Sequence, residues 1–157
     1  MRTMRTTRTM SETWRPWLTG WLGLVAIALL NGTFRTLVTQ PVVGEDAARQ
    51  LATVVLLVLL TGYVWWLHSR YPLPTAAQAW RVGVIWLAMT LTFEFGFGGL
   101  VEGLSWSTML ADYDITNGRI WVLIPIWTAL VPTVVRRLQP RRATQSPPAP
   151  ARHHVAR

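Results

Sequence analysis

The chain alternates four long apolar stretches with short polar connections, and within each stretch the apolar residues run on instead of alternating or keeping to a narrow stripe. Runs of this length predict helices that cross a bilayer, not the faces of a soluble core. The second stretch is the clearest. Residues 51–67 are seventeen uncharged positions in a row, close to the ~20 needed to cross ~30 Å of hydrocarbon at ~1.5 Å per residue. Tyr63, Trp65 and Trp66 mark its far interface. Pro72 and Pro74 then forbid helix and predict a short extended connector.

The first stretch runs from about Trp17 to Val38 behind Arg2, Arg5, Arg8 and Arg15. Basic residues before an apolar run also begin secretory signal peptides. This run outlasts a signal core, and no small-x-small cleavage site precedes a soluble chain, so it predicts a signal anchor. The third stretch carries a carboxylate, Glu94, part-way along. The fourth contains Pro125 and Pro132 and is stopped by Arg136 and Arg137. The predicted fold is all-α, a transmembrane bundle of four helices at about 17–38, 50–68, 81–103 and 119–137. Residues 16–138 form this domain, 1–15 are expected to be a disordered basic N-terminus, and 139–157 a disordered Pro/Ala/Arg tail. In the third connection Ser105 predicts a cap for a short interfacial helix, with Trp106, Met109, Leu110 and Tyr113 at i, i+3, i+4 and i+7.

Charge sets the orientation. The net charge of +8 comes from fifteen arginines without a lysine. They gather beside the apolar stretches, as the positive-inside rule requires, and no aromatic-basic pattern accompanies them, which argues against nucleic acid. The N-terminus, the connector with Arg70 and Arg81, and the tail are basic. The other two connections hold Glu45, Asp46, Glu102, Asp112 and Asp114. Both termini are therefore expected in the cytoplasm. With no cysteine there is no disulfide framework and no thiol nucleophile.

Candidate chemistry centres on Glu94. An ionisable group in hydrocarbon costs roughly 2.5 to 3.5 kcal/mol on insertion scales unless it is paired, neutralised or wetted. With the expected topology it lies about 18 Å along its helix from Val82, in the outer half of the membrane. Asn31 and Arg35 occupy the last two turns of the first helix, in the same outer half, and an arginine has the reach to bridge an axial offset, so an Arg35/Glu94 pair is expected. Gly83, Leu87, Thr90, Glu94 and Gly98 share one face of the third helix; Gly20, Leu24, Ala28, Asn31 and Arg35 share one face of the first. The two stripes are expected to pack together. Pro125 should bare the carbonyl of Trp121, adding a backbone acceptor. The expected polar cluster is thus Asn31, Arg35, Glu94, Thr90 and Trp121, with Gln50 and Thr53 near by. It serves either as a structural clamp or as a ligand, ion or proton site.

Asp112 and Asp114, with Arg119 after them, form a polar outer loop. A D-x-D spacing holds a divalent cation in some transferases, but two carboxylates without a histidine or a phosphate loop are more simply a solvated loop. No metal, cofactor or catalytic residue is expected, and no nucleophile has a histidine partner.

Asn31-Gly32-Thr33-Phe34-Arg35 and Phe93-Glu94-Phe95-Gly96-Phe97-Gly98, with Gly103, Ser105-Trp106, Asp112-Tyr113 and Gly118-Arg119-Ile120-Trp121, resemble an uncharacterised family of small bacterial four-span integral membrane proteins, with N-G-x-x-R and F-E-F-x-F-G motifs. The chain departs from that pattern at Thr36, where the family has glutamate, at Arg49, where it has histidine, and at Gly99-Leu100, where it has His-Tyr. The resemblance implies the fold and the importance of Arg35 and Glu94, and places the chain in a bacterial inner membrane. It brings no established activity. Membrane lipids are the expected partners, with either a membrane-protein partner or a homo-oligomer beyond them. The leading expectation is a non-catalytic accessory or small-ligand-binding component. A proton- or solute-translocating oligomeric bundle, and a membrane enzyme acting on lipid or quinone at the outer face, are the alternatives.

Overall fold

A computed structural model of the chain describes residues 10–101, 103–111, 113–114 and 119–139. The expected disordered tail from 140 onward and residues 1–9 lie outside the described residues. Among those described there is helix and connection, and no strand.

Helix α1 (Met10–Phe34) begins inside the segment expected to be disordered, because Trp14 and Trp17 pack against the core and draw the helix back beyond the apolar stretch. It passes without a break into a π-helical turn (Arg35–Thr39), where the Gln40 amide reaches back five residues to the Arg35 carbonyl, and then into α2 (Gln40–Val43). Gly44, at φ 84°, turns the chain in one residue. The left-handed region suits glycine, which has no Cβ to clash there. Helix α3 (Glu45–Arg70) follows directly. After the proline connector, Thr75 caps α4 (Ala76–Leu100) by accepting from the Gln78 amide at 3.2 Å. The short α5 (Trp106–Ala111) is capped as expected, the Ser105 hydroxyl accepting from the Thr108 amide at 3.2 Å. Helix α6 (Leu123–Leu138) starts later than the expected 119. Its Pro125 falls in the first turn, where a missing N–H costs nothing, so the chain coils only from Leu123.

Three segments are long and apolar enough to cross a membrane: Trp14–Val43, Glu45–Arg70 and Ala76–Leu100. The sixteen residues of α6 reach about 24 Å, short of a ~30 Å hydrocarbon layer.

Helix α6 packs along α4 and α3, and α1 packs along α3 and α4. Among the described residues α1 and α6 make no close backbone approach, so they stand at opposite corners of the arrangement. The tightest crossing is at Gly83 of α4, where the Ala129 carbonyl of α6 occupies the place of a Cβ. Gly20 and Gly23 of α1 instead admit Leu67 and Tyr63 of α3. The glycines of the two small-residue stripes therefore do not meet each other as the expected packing would have them do. Each meets a different helix, because a stripe fixes that a neighbour can come close without fixing which neighbour does.

At one end the packing is closed. Trp17 and Trp86 are fully buried against Leu67, Leu73, Val82 and Val135. The Trp17 indole donates to the Tyr71 carbonyl (3.0 Å), and the Trp86 indole donates to the Trp17 carbonyl (2.8 Å). His68 is buried, edge-on to Trp17, with Nδ1 2.9 Å from the Gln139 side-chain oxygen. Arg136 ties α6 to the connector through the Leu73 and Pro74 carbonyls. Leu30, Leu37 and Val58 project outward at 72%, 71% and 67% exposure. An apolar exterior around an apolar core fits a lipid surrounding better than water.

Candidate functional site

Leu24, Ala28, Asn31 and Arg35 recur at helical spacing on α1, and Ala28, Asn31 and Arg35 line a cavity of about 160 Å³ with Arg49 and Ala52 of α3 and with Trp121. The shared face on α1 is thus as expected. Asn31 donates from Nδ2 to the Ala52 carbonyl at 3.0 Å, tying α1 to α3 at the cavity wall. Arg49 bonds Glu45 one turn earlier at 2.5 Å. No carboxylate stands among the described residues that line this cavity.

A second cavity, about 250 Å³, opens between α1, α4 and α6, walled by Trp21, Leu24, Phe93 and Phe97 and touched by Thr90, Glu94 and Thr128. It exists because α1 and α6 stand apart. Its aromatic wall is ordered: the Trp21 indole donates to the Thr90 hydroxyl (3.1 Å), the Trp21 and Phe93 rings meet edge to face at 6.0 Å, and Phe93 stacks on Phe97 at 5.5 Å. A third cavity, about 200 Å³, lies on the other side of Glu94, bounded by Gly98, Leu104, Met109 and Tyr113. Trp121 lines all three, and Ala28 lines the first two.

The expected cluster is therefore divided. Asn31 and Arg35 face the first cavity, Thr90 and Glu94 the second, and Trp121 stands between them. Glu94 accepts a short hydrogen bond from the Tyr113 hydroxyl, and among the described residues the structure shows no ion pair joining it to Arg35. The reason is geometric. Nearness in height on two helices does not make side chains meet when they face different neighbours: Arg35 turns to the cavity shared with α3, and the connection after α4 brings a phenol to Glu94. Phe95 holds that phenol in place, stacked on Tyr113 at 5.9 Å and on Trp106 at 5.6 Å.

The bared carbonyl expected at Trp121 is also corrected. The Ile124 amide donates to it at 2.9 Å, since α6 starts after Trp121 and a turn precedes it. Trp121 serves instead as a residue that borders the cavities. Asp112 lies outside the described residues. Asp114 and Arg119 are within them, and neither is without a partner. Among the described residues no group of three or more His, Asp or Glu is placed to hold a metal.

Arg49 belongs to the site, although the sequence marks it only as a departure from the resembled pattern and not as a member of the polar cluster. It lies three and four residues before Ala52 and Thr53, which are buried, so helical phase alone aimed it inward. A cavity with two guanidiniums, joined through Trp121 and Ala28 to an aromatic groove, suits a small molecule that is polar at one end and apolar at the other. Comparison with protein-family models, with curated proteins and with solved structures finds no match to this chain.

Proposed function

We propose that the chain is an integral membrane protein whose helices enclose a small-ligand site, a non-catalytic binding or accessory component of a bacterial inner membrane. It crosses four times, with α6 and the turn before it as the last span and both termini in the cytoplasm. The charge bias supports this orientation: Arg70, Arg81, Arg136 and Arg137 lie toward one side, and Glu45, Asp46 and Asp114 toward the other. The N-G-x-x-R and F-E-F-x-F-G motifs that resemble the four-span family fall on the walls of adjoining cavities, Asn31 and Arg35 in one and Phe93, Glu94 and Phe97 in the other.

The observation that carries the reading is the meeting of three cavities at Trp121 inside a helical arrangement whose exterior is apolar. Polar side chains turned inward, toward space large enough for a ligand, are those a binding protein needs. Purification in mild detergent followed by native mass spectrometry tests it. The protein should carry a small molecule at one per chain, and Ala28→Trp, which fills the join between two cavities, should lose it. A folded wild type that never carries added mass, or an added mass that survives Ala28→Trp, would defeat the reading.

A further inference from the structure

Resting on that binding reading, we infer that the ligand is a single-chain amphiphile with an anionic head: Arg35, Arg49 and Asn31 take the head, and the groove between Trp21 and Phe97 takes the tail. The first cavity has two guanidiniums and an amide side chain on its wall and no carboxylate among its described lining residues. Positive charge in an apolar setting calls for a counter-charge. Glu94 does not provide it, being bonded to Tyr113 and facing the neighbouring cavities. Glu45 answers the charge of Arg49, and no ion pair reaches Arg35 among the described residues.

The π-helical turn fits this role. It begins at Arg35, the residue that faces the cavity, and such local widenings of a helix recur at functional sites. A guanidinium fork matches a carboxylate or phosphate head in two parallel hydrogen bonds. Next to the head site, and sharing Ala28 and Trp121 with it, runs a groove whose walls are Trp21, Leu24, Phe93 and Phe97. Leu29, on the groove's α1 side, is 47% exposed, so the groove is reached laterally from the surroundings of the helices. A free anion would leave this aromatic groove unused, and a neutral lipid would leave the guanidinium unanswered.

The test uses the full chain in nanodiscs of zwitterionic lipid and two probes: a terminally brominated long-chain carboxylate and the terminally brominated alcohol of the same chain. Bromine quenches tryptophan fluorescence at contact, and Trp21 and Trp121 line the groove. The carboxylate should saturate quenching at a concentration at least about tenfold lower than the alcohol. Arg35→Gln, or Arg49→Gln should the first fail to fold, should erase that preference, Arg35→Lys should keep part of it, and Arg70→Gln, which removes one exposed charge away from the site, should leave it intact. Equal quenching by both probes, or equal loss in Arg70→Gln, overturns the inference. So does full competition by acetate or inorganic phosphate, which have a head and no tail. In each of those cases a one-per-chain mass sensitive to Ala28→Trp keeps the binding reading standing without the amphiphile.

Discussion

The two ends of the helical arrangement are built from the same kinds of residue and behave as opposites. At the end with Trp17, Trp86 and His68, indoles are fully buried, their N–H groups are spent on backbone carbonyls, and Arg136 clasps the proline connector. At the end with Trp121, Glu94 and Arg35, an indole borders three cavities and the ionisable groups face space. The difference arises from where helices cross. Gly83 lets α4 and α6 touch backbone to backbone near the closed end. The splayed corners α1 and α6 leave the other end open. One end holds the helices together so that the other can stay loose enough to admit something.

Substitution should cost most at the closed end. Trp17→Ala removes a fully buried ring with its contacts to Trp86 and His68 and leaves the Tyr71 carbonyl without its donor. The expected loss is about 4 kcal/mol, read by equilibrium unfolding in mixed micelles. A loss near that of an exposed substitution would mean that this end is not the anchor. Gly83→Ala comes next. The added Cβ meets the Ala129 backbone, which cannot swing aside, so a loss of ~2 to 3 kcal/mol is expected, accompanied by weaker cross-linking between α4 and α6. Unchanged stability would show that the two helices do not cross there.

Tyr113→Phe sharpens the contrast from the open side. It deletes the donor to Glu94 and keeps the ring that stacks on Phe95, so global stability should fall by only about 1 kcal/mol. Hydrogen exchange in residues 103–111 should rise, while that around Trp17 should not. Faster exchange at both ends alike would mean that they form one cooperative unit and not two.

Much of the fold was legible because apolar length is a direct consequence of bilayer thickness: the three long apolar segments and the Pro72 and Pro74 connector follow from it. The cap at Ser105 was legible for a similar reason, since its hydrogen bond is local. The face shared by Ala28, Asn31 and Arg35 followed from helical periodicity. Rotation of one helix about its axis relative to another was not legible. Glycine stripes attract any close neighbour, so Gly83 met Ala129 and Gly20 met Leu67. The partner of Glu94 came from a connection whose path no periodicity encodes. The bond between His68 and Gln139 joins residues 71 positions apart, and no local pattern announces it.

The one-residue turn at Gly44 also decides which side chains stand together. A joint that short forces α2 and α3 into a tight hairpin, and it sets Arg35, nine positions before it, alongside Arg49, five after it. Two like charges are thus brought to one level by covalent connection and not by mutual attraction. A ligand held by both would bridge the two arms of the hairpin, so saturating the site and stiffening the hairpin become a single thermodynamic event.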